Sequence, residues 1–357
     1  MTDPLVRLAG PGSGTGGAPT AIALSPILSA RYRSRDLERI RAAAPDARIV
    51  MVSVEGLADG PLDDVEVMLR GWLSSDAFDR ILVRAPRLSW VHSATSGVER
   101  ALTPAARERG VVVTNARGVF SRPIAEYVLM MILAISRRLP QLLELQRERT
   151  WQPLEGAELR DVTVGIVGLG SIGRAVGALA TAFGCRVVAV RRRVDGGGSS
   201  SAASTADLEG RPLGEVLLDR VGGPETLPDL LAESDFIVLA APLTPETEEM
   251  INAETLAFVK PGAWLINVAR GRLIDERALL RALRDGGLGG AVLDTFHEEP
   301  LSPMSSFYDL PNVIVTPHTA WSSGRVLDRS VELFCDNLRR FATGEPLLNV
   351  VDPDAGY

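Results

Sequence analysis

The chain has 357 residues, enough for two domains at about 150 residues each, and 46% of them are hydrophobic and 23% charged. This composition excludes a wholly disordered chain, a collagen and a coiled coil, and the net charge of −7 argues against nucleic acid as a partner. Two cysteines are too few for a disulfide framework, and the longest apolar run, 124–135, is too short to cross a membrane. We therefore expect a cytoplasmic protein.

Patterns typical of strands and helices alternate along the chain. Residues 10–17 are Gly-rich and predict a flexible tail over residues 1–17, and the Gly- and Ser-rich stretch 196–205 predicts a surface insertion, either disordered or a mobile flap. Short apolar runs predict buried strands at Ala21–Leu24, Ile49–Val54, Leu88–His92, Val111–Thr114, Val162–Val167, Val187–Val190, Phe236–Ala240, Trp264–Asn267, Gly290–Leu293 and Val313–Thr316. Helical spacing predicts helices at Leu37–Ala44, 122–149, Ile172–Phe183, Leu279–Leu283 and Arg325–Phe341. This alternation predicts an α/β fold with two doubly wound parallel sheets.

The clearest binding motif is a run of glycines after a predicted buried strand. Gly168, Gly170 and Gly173 form the pattern GxGxxG at a strand-to-helix junction, which is the context in which it binds a dinucleotide. Gly168 would allow the tight turn, Gly170 the approach of the pyrophosphate, and Gly173 the close packing of helix on strand. The start of the helix, with Ser171 and Ile172, would present free N–H groups to the phosphates. A Gly-rich turn without a ligand is the alternative interpretation.

The next predicted strand runs directly into Arg191 and Arg192. A site for NAD usually has an acidic residue here for the ribose 2′-OH, whereas arginine accommodates the 2′-phosphate of NADP. The sequence therefore predicts NADP(H) as the cofactor, with NAD also possible. The alternative is a solvated basic strand end.

Three polar side chains follow predicted strands and are expected to meet at one edge of the sheet. They are Arg270, Glu299 and His318. Ligands of open α/β sheets bind at the carboxyl ends of the strands, and histidine is the commonest acid–base group near neutral pH. The other two histidines have simpler interpretations, because His92 is expected to be packed at a strand end and His297 to lie on the surface.

Five segments, in this order and spacing, point to a known family. They are Gly-Leu-Gly-Ser-Ile-Gly at 168–173, Pro-Leu-Thr-Pro-Glu-Thr at 242–247, Asn-Val-Ala-Arg-Gly at 267–271, Leu-Asp-Thr-Phe-His-Glu-Glu-Pro-Leu at 293–301 and Thr-Pro-His-Thr-Ala-Trp at 316–321. Together they resemble the D-isomer specific 2-hydroxyacid dehydrogenase family over about residues 45–350. The resemblance implies an NAD(P)-dependent oxidoreductase acting on a small 2-ketoacid or D-2-hydroxyacid such as glyoxylate or hydroxypyruvate.

The resemblance implies roles for the residues at the sheet edge. His318 would protonate the carbonyl oxygen as hydride reaches the carbon, and Glu299 would hydrogen-bond His318 and favour its charged form. Arg270 would hold the substrate carboxylate and carbonyl with its planar set of donors. The backbone N–H groups of Ser96 and Gly97 would also bind the substrate carboxylate.

Further positions follow from the same matching. Asp294 would bind the nicotinamide carboxamide, with a turn-capping role as the alternative. Ala241, Val268 and Ala269 would line the cofactor through their backbone and small side chains. Several family members have Arg where Ser93 stands, so the resemblance disfavours a phosphorylated or diacid substrate here.

The resemblance also implies how the chain is organised. A cofactor domain would span about 119–323, and a discontinuous substrate domain would combine 18–118 with 324–357. The substrate would bind in the cleft between them. The apolar helix predicted at 122–149 would pack against a second subunit, which implies a homodimer.

Two other hypotheses share this fold. A dinucleotide-sensing protein like the co-repressors would bind cofactor and report its presence, although the set Arg270, Glu299 and His318 argues against it. An oxidoreductase for formate or phosphite is the other, and formate enzymes of this fold usually have Gln where Glu299 stands.

Overall fold

The computed structural model describes residues 17–27, 32–192, 203–206 and 212–353. Nearly all of the predicted tail and most of the predicted insertion at 196–205 lie outside these residues. The chain divides into two units, passing from the first to the second between Val119 and Phe120 and returning between Ser323 and Gly324. Within the described ranges, no helix combines the length and apolar character needed to span a bilayer.

Strands and helices alternate as the sequence predicts. The strands are β1 (Ala21–Leu24), β2 (Arg48–Met51), β3 (Val65–Arg70), β4 (Trp90–Ser93), β5 (Val112–Asn115), β6 (Thr163–Val167), β7 (Arg186–Val190), β8 (Ala203–Ala206), β9 (Pro212–Val216), β10 (Arg220–Gly222), β11 (Phe236–Leu239), β12 (Trp264–Asn267), β13 (Gly290–Leu293) and β14 (Val313–Val315). The helices are α1 (Ser34–Ala43), α2 (Ser75–Arg84), α3 (Pro104–Glu108), α4 (Ser121–Ser136), α5 (Leu139–Arg147), α6 (Ser171–Ala182), α7 (Leu227–Glu233), α8 (Ala253–Leu256), α9 (Glu276–Arg284) and α10 (Val326–Thr343).

The first unit is built on a five-stranded parallel sheet in the order β2-β1-β3-β4-β5. Phe78 and Ile81 of α2 pack on one face of this sheet, and Ile40 of α1 and Phe334 of α10 pack on the other. Because helices cover both faces, apolar side chains of the strands are buried on both sides of the sheet. The residue pattern did not predict the central strand β3 or the helix α2.

The second unit is built on a seven-stranded parallel sheet in the order β10-β7-β6-β11-β12-β13-β14. Successive residues of β6 face opposite helices: a side chain at Gly165 would meet Leu230 of α7, whereas Ile166 lies against Gly173 of α6. The strand order reverses between β6 and β11, which is the point where open α/β sheets bind ligands. Both sheets confirm the predicted α/β fold.

The prediction of a single long helix at 122–149 is wrong. The chain forms α4 and α5, separated at Arg138, whose φ is 58°. Pro140 lacks the N–H that would bond to the carbonyl of Ser136 in a continuous helix, and that carbonyl accepts from the Ala157 amide at 2.9 Å instead. The second half is also not buried within the chain, since α5 has no buried residue.

Part of the predicted insertion is regular structure. Residues 203–206 form β8, which pairs antiparallel with β9, so a wholly disordered insertion is wrong for these residues. Strand β9 in turn packs against α6. A two-stranded sheet therefore covers part of the helix that carries the glycine motif.

Candidate active site

The glycine motif forms the turn from β6 into α6. Gly168 has a φ of 102°, in the left-handed region that favours glycine, and a Cβ there would lie 2.5 Å from the Ala241 amide nitrogen. A Cβ at Gly173 would lie 2.1 Å from the Gly168 carbonyl oxygen. These two positions therefore require glycine for the turn and for the packing of α6 on β6.

Gly170 differs from the other two glycines, because a Cβ at this position would meet no atom within 4 Å. It precedes Ser171, the first residue of α6, and Ser171 and Ile172 are half-buried. The N-terminus of this 12-residue helix thus faces open space, with free amides and a partial positive charge. An approaching pyrophosphate would fill this space, so the residues present fit a dinucleotide.

Arg191 and Arg192 follow β7, the strand beside β6. The Arg191 amide continues the sheet by donating to the Gly222 carbonyl at 3.0 Å, its side chain is half-buried, and Arg192 is exposed. Hydrogen bonds to Thr244 and to its own backbone lower the pKa of the Glu246 carboxyl, and the charge of Arg192 lowers it further. Arg192 therefore lies near the Pro242–Thr247 segment after β11. Binding of a 2′-phosphate here stays a prediction.

The small residues predicted to line the cofactor follow two neighbouring strands. Ala241 comes after β11, Val268 and Ala269 come after β12, and all three are buried. Asn267 was not predicted as a site residue. Its side-chain oxygen accepts from the Ala269 backbone amide at 3.0 Å, and its side-chain nitrogen donates to the Arg270 carbonyl at 3.0 Å. An Asn at a strand end that folds its own following turn is a recognisable signal.

His318 and Glu299 are in contact. The Nδ1 atom of His318 lies 2.7 Å from Oε2 of Glu299, and both side chains remain partly exposed. Because an ionised carboxylate can only accept, the proton of this bond is on Nδ1. This arrangement leaves Nε2 of the ring directed away from Glu299 and able to exchange a proton with a ligand.

The pKa of the Glu299 carboxyl reflects opposing effects. Partial burial alone would raise it, but hydrogen bonds from His318 and from the Phe296 amide, together with the charges of His318 and Arg270, lower it below its usual value. The Phe296 amide donates to Oε1 at 3.0 Å. Glu299 is therefore a carboxylate at neutral pH.

We expect acid to remove the stability that Glu299 contributes. A carboxyl whose pKa is lowered by folding stabilises the folded state above its unfolded pKa of about 4.3 and loses this effect as the pH falls through the lower folded value. The difference in unfolding free energy between wild type and Glu299→Gln should therefore shrink from neutral pH towards pH about 3 in urea titrations. Glu298→Gln, at the exposed neighbouring position, is the matched control, and a pH-independent difference for Glu299→Gln would contradict the assignment.

Arg270 is half-buried at the end of the Asn267 turn. Its Nη1 donates to the Ala269 carbonyl at 2.7 Å, and its charge helps to lower the pKa of Glu299. A Cβ at Gly271 would lie 2.0 Å from the carbonyl carbon of Phe296. The backbone next to Arg270 thus packs directly against the segment that leads to Glu299, which brings the guanidinium, the carboxylate and the imidazole into one neighbourhood.

Asp294 holds the loop that carries His318. The carboxylate is buried and accepts from the Thr316 hydroxyl at 2.6 Å and from the Thr319 and Ala320 amides at 2.8 and 2.9 Å. Burial raises its pKa, and the three hydrogen bonds and the charge of His318 oppose this rise. These contacts correspond to the turn-capping alternative, so binding of the nicotinamide carboxamide stays a prediction for Asp294.

The remaining predicted residues lie as follows. Ser96 and Gly97 belong to the first unit, in the turn after β4, where their carbonyls accept from the side-chain Nδ2 of Asn115 at 3.0 Å and from the Thr95 hydroxyl at 2.6 Å, respectively. His92 is fully buried in that unit and burial lowers its pKa to about 3, which confirms a packed residue. His297 is exposed, as predicted. Among the described residues no cluster of His, Cys, Asp or Glu could hold a metal ion.

This chain is similar to members of a known family. Residues 129–320 match the family described as "D-isomer specific 2-hydroxyacid dehydrogenase, NAD binding domain". The glyoxylate reductase of Pyrococcus furiosus is 34% identical over 293 residues, which cover 80% of this chain and 80% of that protein.

Two solved structures are also similar. A D-isomer specific 2-hydroxyacid dehydrogenase from Xanthobacter autotrophicus, in complex with NADPH and MES, is 31% identical, with a TM-score of 0.78 over 95% of this chain and 100% of that one. An NADPH-dependent glyoxylate/hydroxypyruvate reductase from Sinorhizobium meliloti, in complex with NADP and sulfate, is 29% identical, with a TM-score of 0.75 over 94% and 100%. The co-repressor hypothesis gains no support from these relatives, which are all named as dehydrogenases or reductases.

Proposed function

Because the chain belongs to the D-isomer specific 2-hydroxyacid dehydrogenase family, we propose that it transfers hydride between NADP(H) and a small 2-ketoacid or D-2-hydroxyacid. The observation that carries the proposal is the 2.7 Å contact of His318 with Glu299. This contact lies at the carboxyl ends of the parallel strands, as do Arg270 and the glycine motif. This combination supplies a proton donor, an anion-binding guanidinium and a dinucleotide cradle.

The residues would divide the work of the reduction. Bound NADPH supplies the hydride, and the protein must hold the ketoacid and deliver one proton to the carbonyl oxygen. Protonated His318 would give the proton from Nε2 while Glu299 holds Nδ1–H and stabilises the imidazolium. Arg270 would bind the carboxylate and polarise the carbonyl, which favours the developing alkoxide. In the reverse direction neutral His318 would accept the hydroxyl proton.

The proposed substrates are small and singly charged, such as glyoxylate and hydroxypyruvate. Ser93 supports this choice, because it is buried and uncharged and its hydroxyl bonds to that of Thr95 at 2.9 Å. The names of the Pyrococcus and Sinorhizobium relatives point to the same substrates.

A panel of 2-ketoacids tests the proposal directly. Glyoxylate, hydroxypyruvate, pyruvate and 2-oxoglutarate would each be supplied with NADPH and with NADH, and the loss of nicotinamide absorbance followed. We expect the fastest turnover with glyoxylate or hydroxypyruvate, and formation of the D enantiomer of glycerate from hydroxypyruvate. If no 2-ketoacid oxidised either cofactor, the proposal would be wrong.

Preference for NADP(H) is the part of the proposal that rests on Arg191 and Arg192. We expect Arg191→Asp to raise the KM for NADPH at least about tenfold, because a cation facing the 2′-phosphate is replaced by an anion, and to lower the KM for NADH. Arg160→Asp is the control, because Arg160 is exposed and precedes β6 at the opposite edge of the sheet. An unchanged KM for NADPH in Arg191→Asp would remove these arginines from the cofactor site.

We also propose a homodimer and a cytoplasmic location. The support for a dimer is α5, which buries no residue within one chain and exposes Leu139, Leu142 and Leu143. The support for the location is that Cys185 and Cys335 are both free and buried. Light scattering of the purified protein measures the assembly.

A further inference from the structure

A chain of hydrogen bonds runs from α4 into the loop of His318. The hydroxyl of Tyr127, on α4, lies 2.6 Å from Oγ1 of Thr316, and Thr316 in turn lies 2.6 Å from Oδ1 of Asp294. Thr316 follows β14 and Asp294 follows the neighbouring strand β13. The proposed chemistry of His318, Glu299 and Arg270 does not use Tyr127 or Thr316.

The donors in this chain can be assigned. A threonine hydroxyl has one proton, and that of Thr316 is donated to Asp294, whose carboxylate accepts. Oγ1 of Thr316 must therefore accept the proton of Tyr127. Burial raises the pKa of Tyr127 to about 12, so its hydroxyl remains a donor over the whole neutral range.

These hydrogen bonds hold the backbone on both sides of His318. Asp294 is bonded to Thr316, two residues before His318, and to the amides of Thr319 and Ala320, just after it. His318 itself has a φ of 49°, in the left-handed region that is strained for a non-glycine residue. The bonds to Asp294 compensate for this conformation, and Tyr127 orients the Thr316 hydroxyl that completes them.

Helix α4 also packs against α6, whose N-terminus forms the dinucleotide cradle. Tyr127 thus connects the loop of the acid–base residue to the helix pair beside the cradle. The contact of His318 with Glu299 depends on the conformation of the His318 loop, since neither residue lies in a helix or strand.

We propose that Tyr127 is a positioning residue, which acts through Thr316 and Asp294 to hold His318 in the left-handed conformation that meets Glu299. The inference rests on the proposed function for its kinetic consequences, but not for its structural ones. Among the described residues Tyr127 makes no hydrogen bond to His318 or Glu299, so its hydrogen-bonded link to the His318 loop runs through Thr316 and Asp294.

The test combines kinetics with the NMR signal of one proton. Tyr127→Phe removes only the hydroxyl, Thr316→Val removes the link, Thr316→Ser retains it, and Tyr308→Phe is the matched control at an exposed tyrosine. Each variant and the double variant Tyr127→Phe/Thr316→Val would be assayed with glyoxylate and NADPH. The Nδ1 proton of His318 would be observed directly, which is practicable because the chain has three histidines.

We expect Tyr127→Phe and Thr316→Val each to lower kcat about five- to tenfold, with the KM for glyoxylate within about twofold, as for the loss of one buried hydrogen bond. The His318 signal should shift or broaden in both variants. The double variant should be no slower than Thr316→Val alone, because both changes break the same series of hydrogen bonds. Thr316→Ser and Tyr308→Phe should resemble wild type.

An unchanged His318 signal in Tyr127→Phe would overturn the inference. So would a loss of kcat in the double variant equal to the product of the two single losses, or a loss of kcat in Thr316→Ser as large as that in Thr316→Val. Absence of turnover in wild type would instead overturn the proposed function. The NMR comparison would still decide the role of Tyr127 in that case, because it needs neither substrate nor cofactor.

Discussion

Replacing His318 with alanine is expected to lower kcat for 2-ketoacid reduction by roughly 10²–10⁴, because the carbonyl oxygen then has to take its proton from water. The affinity for NADPH should stay within about twofold of the wild-type value. The glycine turn between β6 and α6 is several strands away from β14, which leads to His318. Turnover with glyoxylate measures the first quantity, and quenching or enhancement of nicotinamide fluorescence on binding measures the second.

The matched control for this variant is His297→Ala. His297 is exposed, and its ring bonds to the Ile274 carbonyl at 2.7 Å rather than to Glu299. The control should retain most of the wild-type turnover. Full activity in His318→Ala would exclude His318 as the proton donor, whereas loss of NADPH binding would mean that the variant has disturbed the fold and not the chemistry alone.

Asp294→Ala is expected to destabilise the protein by about 3 kcal/mol or more and to lower kcat by roughly 10². The substitution leaves the Thr319 and Ala320 amides and the Thr316 hydroxyl without their buried acceptor, and each lost bond to a charged group costs about 1.5–3 kcal/mol. The loop can then leave the left-handed conformation at His318, and a displacement of about 1 Å is enough for a loss of this size in rate.

Urea unfolding and steady-state kinetics of the same preparation check both parts of this expectation. Asp309→Ala changes an exposed aspartate in the same unit and should alter neither quantity. Wild-type stability in Asp294→Ala would show that the three hydrogen bonds contribute little. Wild-type turnover in a destabilised variant would show that the His318 loop does not need this acceptor.

The break between α4 and α5 shows what a pattern of hydrophobic residues leaves open. Apolar spacing continues through residues 122–149, but spacing does not report where a helix must stop. Pro140 is a local signal for the break, and the prediction of one continuous helix left it out of account. The hydrogen bond from the Ala157 amide to the Ser136 carbonyl could not be predicted, because it depends on how the polypeptide returns after α5.

Strand β3 was missed for a different reason. Its residues include Glu66 and Arg70, so it does not read as a continuous apolar run. In the structure it is the centre of the five-stranded sheet, between β1 and β4. Arg70 is buried there, with local bonds to the carbonyls of Gly71 and Leu73. Its guanidinium also lies over the ring of Phe78 in α2, 5.3 Å from the ring centroid, and this contact comes from tertiary packing and is not visible in a residue pattern.

The α/β fold, the dinucleotide turn and the order of Arg270, Glu299 and His318 can be predicted from the residues alone, because they depend on local conformational rules and on motifs a few residues long. Gly168 and Gly173 are examples, since the positive φ of one and the close packing of the other follow from the turn itself. The left-handed conformation of His318, the capping by Asp294 and the bond from Tyr127 to Thr316 become visible only in the folded chain. Those features need atoms from strands and helices far apart in the chain, and hydrogen-bond geometry over such separations is set only when the sheet has assembled.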